Sequence, residues 1–397
     1  MTIDQRKTAI RGRLEEDFAA RYQTRPRIFR APGRVNLIGE HTDYNDGFAL
    51  PAAINLYTWI AIAPRFDGIL RVFSENLNEA AEIDLRESSP RPLHHWTDYV
   101  RGVSLMLRRI GRKVDGADML IYSELPSGAG LSSSAALEVS SASSLLAVSG
   151  QSLTLLDLAK LCQRAENEFV GARCGIMDQF AACLGGSGRA MLLDCRSLEY
   201  KNVPLPSDVA MVICNTMVKH GHSGGEYNAR RAQCEEAVRI LKRHFPAIRA
   251  LRDVTLSNLE AHRGELSDVV YKRSRHIITE NARVLDLVSA LESGDLKAVG
   301  RLMAESHASL RDDYEVSCRE LDLMVELAAG REGVLGSRMT GGGFGGCTIT
   351  LAQTEHVERF RFEVGREYER HIQIKPEIYV STAGSAVAEI GSNGDEP

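Results

Sequence analysis

A chain of 397 residues is long enough to build two hydrophobic cores. Apolar residues make up 44% of it and charged residues 25%, the balance of a globular protein. A net charge of −5 with interspersed signs gives no basic field for nucleic acid and no attraction to an anionic membrane.

Asp4–Tyr22 reads as a helix in which acids alternate with bases. The absence of a continuous apolar core there argues against a secretion signal and predicts a cytoplasmic protein. Arg27–Arg30 reads as extended and is followed by a polar turn, Ala31–Gly47. Leu50–Pro64 is apolar but is interrupted by Asn55 and Thr58 and falls short of the ~20 residues of a spanning helix. It is therefore expected within an extended region, Phe48–Ala63. His95–Ile110 has helical spacing, and Gly116–Ser123 (GADMLIYS) reads as a strand that runs into Leu125-Pro126-Ser127-Gly128-Ala129-Gly130-Leu131-Ser132-Ser133-Ser134-Ala135-Ala136. Helices are predicted over Ala135–Val148, Thr154–Phe169 and Ile176–Cys183, and strands over Ala190–Leu193 and Val209–Cys214. The Pro-punctuated stretch Val203–Ser207 is the best boundary, giving domains 1–205 and 206–397. Beyond it, Tyr227–Phe245, Val269–Leu291, Asp295–Leu310 and Glu320–Ala328 read as helices, and Cys347–Leu351 as a strand. The tail Gly391–Pro397 is expected to fray.

The glycine-serine loop reads as a phosphate cradle. Gly128 and Gly130 let the backbone fold around an anion, and the following helix offers its unpaired N–H groups and positive dipole end. A serine-rich helix cap is the plainer alternative. The loop lacks the lysine of a Walker A sequence, so charge neutralisation must come from a metal and from residues elsewhere. Gly341, Gly343 and Gly346 satisfy GxGxxG, but they precede a strand with 51 residues left, which rejects a dinucleotide fold. Five glycines in that loop suggest close approach to another loop or to a ligand.

In the turn at 31–47, Glu40 and Asp43 suit the vicinal hydroxyls of a sugar, with His41 as a further partner, and Arg34 suits a transferring phosphoryl group. Each also fits a solvated surface charge, Asp46 above all. Asp178 opens an apolar helix, where it serves either the helix dipole or a substrate hydroxyl as general base. Glu166 lies late in the preceding helix, where an acid opposes the dipole, and this favours a metal role. The eight cysteines form no CxxC pair and read as small buried apolar residues. His94-His95 and His220/His222 lack zinc spacing.

Together these segments carry a resemblance. Pro32–Tyr44 is similar to the galactokinase signature, Gly128–Ala135 to the ATP loop of the galacto-, homoserine, mevalonate and phosphomevalonate (GHMP) kinases, and Met339–Gly346 to their third motif, in the family's order. The likeness continues through Gly175–Gln179, Glu226–Asn228, Arg252–Thr255 and Met303–His307 and so covers nearly the whole chain.

The resemblance implies an α/β, two-domain GHMP kinase fold, with an N-terminal domain like ribosomal protein S5 domain 2, a ferredoxin-like C-terminal domain and the active site between them. It implies transfer of the ATP γ-phosphoryl to the C1 hydroxyl of α-D-galactose, the first committed step of galactose catabolism. Asp178 matches the catalytic base and Arg34 the transition-state stabiliser. Glu40, His41, Thr42, Asp43, Gly175 and Tyr227 match the sugar-binding residues. Ser127, Gly128, Ala129, Gly130, Leu131, Ser132, Ser133 and Ser134 match the nucleotide loop, Trp96 and Tyr99 the aromatics near adenine, and Ser134 and Glu166 the Mg2+ ligands. A monomer acting on galactose and ATP is expected. The chain departs from the family at Ser223-Gly224-Gly225, where a serine ordinarily stands directly before the acid; sugar affinity or selectivity is expected to respond. The alternatives are a sister sugar-1-kinase for N-acetylgalactosamine or L-arabinose, decided by space at C2 and C5, and a non-catalytic galactose sensor. Sensors carry a damaged serine-alanine stretch, whereas Ser132–Ala136 is intact.

Overall fold

The long apolar run becomes the strand Pro51–Pro64, buried along all but its last residue. An unbroken apolar strand of this kind needs cover on both faces, and it has it. In a computed structural model describing residues 3–126, 128–219 and 223–391, this strand pairs antiparallel with Arg27–Asn36 on one edge and Ala117–Ser123 on the other. The sheet runs in the order Ala388–Glu389, Arg27–Asn36, Pro51–Pro64, Ala117–Ser123, Ile69–Ser74, Glu79–Asp84. Helices Thr97–Arg109, Ser133–Val148, Leu155–Ala165 and Met177–Leu184 supply the core of one face. Helix Ile3–Tyr22 covers the other, placing Leu14 and Phe18 against Tyr57 and Trp59. Ile69–Ser74 lies parallel to Ala117–Ser123, a pairing that requires a crossover; helix Thr97–Arg109 lies within the connection.

A second sheet, in the order Val334–Thr340, Gly345–Gln353, Val209–Lys219, Glu377–Ser381, is wholly antiparallel. Helices Arg319–Ala328 and Val357–Ile372 pack on one face through Met324, Phe360, Val364 and Tyr368. From the other face, Met211, Ile213, Ile349 and Leu351 join one continuous core with Leu37, Ile38 and Ile54 of the first half and Val284 and Leu287 of the long helix Asp268–Ser293. That helix starts at Ser267, whose hydroxyl accepts from Val270 N, and stops at Gly294 in the left-handed conformation.

The structure adds strands Ile69–Ser74, Glu79–Asp84, Val334–Thr340 and Glu377–Ser381 and helices Leu256–Ala261 and Val357–Ile372, none of which the sequence reading placed. Val203 and Pro204 complete the strand Tyr200–Pro204, so the link between sheets begins at Leu205. The chain end then returns to the first sheet, where Gly384 N donates to Ala53 O at 2.8 Å and Ala388–Glu389 pairs with Phe29 and Arg30. All eight cysteines are free, six of them buried. His220, His222 and the tail from 392 lie outside the described residues.

Candidate active site

Strand Arg27–Asn36 slips register between Pro32 and Arg34, the kind of irregularity that re-aims a side chain. At Gly33 a Cβ would stand 2.6 Å from Leu131 O, so only glycine lets the strand lie this close to the glycine-serine loop. Arg34 then joins three distant segments. Its backbone N–H donates to Leu131 O at 3.2 Å, its Nη1 to Gly130 O at 2.5 Å and its Nε to Asp178 Oδ1 at 2.9 Å. The Arg34 side chain is buried and that of Asp178 partly open.

Around this pair lies a cavity of about 280 Å³ lined by Glu40, His41, Asp43, Gly175 and Tyr227 among others. Glu40 is buried, and its carboxylate accepts from Gly341 N at 2.6 Å and from the Asn36 amide. Burial raises its pKa, and the cations Arg338 and Arg34 oppose that rise. His41 sits at φ +65° with Nδ1 2.8 Å from the Tyr44 hydroxyl. Burial drives its pKa down to about 3, so the imidazole is neutral at physiological pH. Asp43 goes the other way, up to about 6, through burial first and repulsion from Asp178 second. Gly175 is fixed by Asp43, whose carboxylate occupies the space that a Cβ at 175 would need. The Tyr227 ring packs 5.5 Å from His41 and 5.3 Å from Tyr44.

Thr42 is a correction to the sequence expectation. Its buried hydroxyl is turned to Gly39 O (2.8 Å) and Phe48 O (2.6 Å), so it shapes the turn and does not line the cavity.

The glycine-serine loop forms the opposite wall. Gly128, Gly130, Ser132, Ser133 and Ser134 line the cavity at the start of helix Ser133–Val148, with Ser132 in the left-handed conformation. The side chains of Ala129 and Leu131 belong to the core, so these two residues hold the loop down and contribute through their backbone. Ser127 lies outside the described residues. The second glycine loop packs against the first and brings Gly341 and Gly342 to the cavity wall. Cβ atoms at Gly341 and Gly346 would stand 3.0 Å from Gly130 O and Ala129 O, and both glycines have φ near +85°. This is the close approach expected from five glycines.

Gly128, Ser133 and Ser134 also border a second cavity of about 480 Å³ walled by Trp96, Tyr99, Leu77, Ile121 and Leu137. An apolar, aromatic slot beside a polar loop suits a flat heterocycle attached to phosphates. Trp96 places its indole N–H on Glu79 Oε2 at 2.9 Å.

Ser134 stands near enough to Glu166 to lower the pKa of its carboxyl, and Glu166 lies at the junction of helix Leu155–Ala165 and a wider turn, Glu166–Val170. Gln179 Nε2 bridges Glu166 Oε2 (2.6 Å) and Glu138 Oε2 (3.0 Å). Burial raises the pKa of both carboxyls, and repulsion from Asp178 adds to it. Glu138 Oε1 is buried without a hydrogen-bond partner among the described residues. Buried, mutually repelling carboxylate oxygens beside a hydroxyl are a fitting donor set for a hard divalent cation.

The sequence reading did not single out Cys174 and Met177 in the first cavity, Asn76 in the second, or the fully buried Arg338, which lies 3.8 Å from Glu40. Gly341 and Gly342 carried a signal in their glycine run; Arg338 carried none.

The galactokinase galactose-binding signature matches residues 16–64, the GHMP kinases N terminal domain residues 98–186 and the GHMP kinases C terminal domain residues 287–370. A curated galactokinase of Roseiflexus sp. (strain RS-1) is 47% identical over 96% of this chain and 98% of its own length. The chain belongs to the galactokinase family. A galactokinase of Haemophilus influenzae (strain PittEE) is 45% identical over 91% of this chain and 94% of its own. The crystal structure of Lactococcus lactis galactokinase complexed with galactose superposes with a TM-score of 0.91 at 37% identity, covering 96% of this chain and all of that one. Methanococcus jannaschii mevalonate kinase, at 18% identity and a TM-score of 0.63, shares the GHMP kinase fold. The fold and kinase expectations are met. Among the described residues, no helix is long and apolar enough to cross a membrane.

Proposed function

We propose that this galactokinase transfers the ATP γ-phosphoryl to the C1 hydroxyl of α-D-galactose, giving galactose 1-phosphate and ADP. The observation that carries the reading is the Arg34–Asp178 pair where an acid-lined cavity and an aromatic one share Gly128, Ser133 and Ser134. The hexose belongs in the first cavity, where Asp43 and Glu40 accept from its hydroxyls, and the adenine belongs between Trp96 and Tyr99 in the second. Asp178 takes the proton of the anomeric hydroxyl, which is more acidic than that of an ordinary alcohol. Arg34 holds that carboxylate in place and meets the charge that develops on the transferring phosphoryl, with amides at the start of helix Ser133–Val148 as further donors. Ser134 and Glu166 would hold Mg2+, with Glu138 and Gln179 behind them; the ion supplies neutralisation of the phosphate charge when bound. The division into domains 1–205 and 206–397 is supported by the sheets: the six-stranded one, apart from Ala388–Glu389, and a three-stranded one of Phe48–Ala49, Arg189–Asp194 and Tyr200–Pro204 lie before 205 and the four-stranded one after it, with the segment 383–390 crossing back to the first.

A phosphorus NMR assay with ATP, Mg2+ and galactose tests the reading, because it reports both turnover and the phosphorylated position. A product phosphorylated anywhere but C1, or no product, defeats it.

Glu166→Ala is expected to raise the Mg2+ concentration for half-maximal activity by about tenfold or more. An unchanged Mg2+ titration would remove Glu166 from the metal site.

The raised pKa of Asp43 has a definite sign. Above about 6 the group is a carboxylate that accepts from two hydroxyls; below it, a proton occupies one oxygen. In the profile of kcat/KM for galactose, which reports the free enzyme, a decline is expected as pH falls through about 6. Asp43→Asn should be several-fold weaker for galactose and lack that inflection. Retention of the inflection in the variant assigns it to another group.

A further inference from the structure

Away from the catalytic cleft, His244, His262 and Glu265 gather one ligand atom each within 4.8 Å of one another. We propose that they form a binding site for a divalent transition-metal ion of the Zn2+ type, which staples the end of helix Ser223–Leu241 to the turn after helix Leu256–Ala261.

His244 Nε2 lies 2.7 Å from Glu265 Oε1, and His262 Nδ1 lies 3.1 Å from the same oxygen. The imidazoles stack at 3.8 Å between centroids and 23° between planes, and Phe245 packs edge-on against His262 at 5.4 Å. Stacking at this distance disfavours two imidazolium charges and turns both nitrogens to one side. Around a tetrahedral Zn2+ with bonds of ~2.0–2.1 Å, ligand atoms stand ~3.3 Å apart. Lengthening the 2.7 Å contact by about 0.6 Å and the 3.1 Å contact by about 0.2 Å, with the two rings turned out of their stack so that their in-plane lone pairs converge, lets an ion replace the ring protons that now bridge to the carboxylate. Two nitrogens and one carboxylate oxygen are a borderline-soft donor set that selects such an ion over Mg2+. The half-exposed position leaves the fourth place to water.

The backbone is already in place. Glu265 N donates to His262 O at 3.0 Å, which fixes the two residues on one turn. Leu241, Ile248, Leu259 and Leu266 anchor the segments on either side in one apolar cluster. Between the histidines, Asp253 holds Arg196 at 2.7 Å, and Arg196 in turn holds Asp46 near the end of the turn 31–47. An ion here would stiffen the layer behind that turn.

The test is Zn2+ uptake by the full chain in competition with a chromophoric chelator, beside His262→Ala and a His244→Ala/Glu265→Gln double variant. Mg2+-supported kinase activity checks that the variants fold. The wild type is expected to hold one more equivalent of Zn2+ than either variant, and to gain a thermal midpoint increase with Zn2+ that the variants lack. Co2+ should show the intense visible bands of tetrahedral coordination in the wild type alone. Equal Zn2+ uptake by wild type and variants, or an equal midpoint shift, overturns the site and assigns the binding to other groups. Neither result bears on the kinase reading, whose residues these variants leave intact.

Discussion

Asp178→Ala is expected to lower turnover by ~10²–10⁴-fold, the usual worth of a positioned general base, while galactose binding changes little. The carboxylate is the group beside the cleft that Arg34 grips at 2.9 Å. Removing it also leaves a buried guanidinium without its ion partner, so alanine alone would confound proton transfer with the position of Arg34. Asp178→Asn separates the two, because an amide oxygen still accepts from Arg34 Nε but cannot take up the anomeric proton at neutral pH. Single-turnover measurements should find both variants slow by similar factors. Asparagine turning over close to wild type would assign Asp178 to positioning and leave the base elsewhere.

Gly175→Ala should be nearly as damaging, and for a different reason. A methyl group at 175 overlaps the Asp43 carboxylate, so Asp43 must leave its place in the first cavity, from which we propose it accepts from the sugar. The KM for galactose is expected to rise by about tenfold or more, with the KM for ATP changed by less than about twofold. Because the damage runs through one side chain, Gly175→Ala and Asp43→Ala should not add. The double variant should be about as weak for galactose as the worse single one. Full additivity would show that Gly175 acts on the sugar independently of Asp43.

The way in which the motifs announced themselves explains what was legible. Pro32–Tyr44 carries many hydrogen-bonding side chains between two apolar runs, and Gly128–Ala136 places glycines before a helix; both patterns are local, and the helix formed as read, whereas Pro32–Asn36, read as turn, prolongs the strand Arg27–Asn36. The five glycines of 341–346 foretold close approach, which the structure shows to be backbone against backbone at Gly130 and Ala129. Thr42 was placed with the sugar-binding residues only through the resemblance of its segment, which cannot tell where its hydroxyl turns. The turn gave that hydroxyl two carbonyl partners, and a satisfied donor has no reason to face the cavity. Ala129 and Leu131 were counted with the loop by adjacency, although their apolar side chains turn inward.

Glycine placement, apolar periodicity and the clustering of polar residues act over a few positions, so they alone determined the glycine-serine loop ahead of a helix and the acidic character of segment 31–47, while the two-domain α/β class followed from the resemblance to the GHMP kinases, which the whole run of motifs carries. Only the tertiary structure decided that Arg34 reaches across to Asp178, that Asp43 and Gly175 interlock, and that Arg338 lies buried beside Glu40. Those pairs are separated by more than a hundred residues of chain. Their proximity is fixed by strand pairing and by shared apolar cores, whose free energy depends on the whole assembly rather than on any one segment.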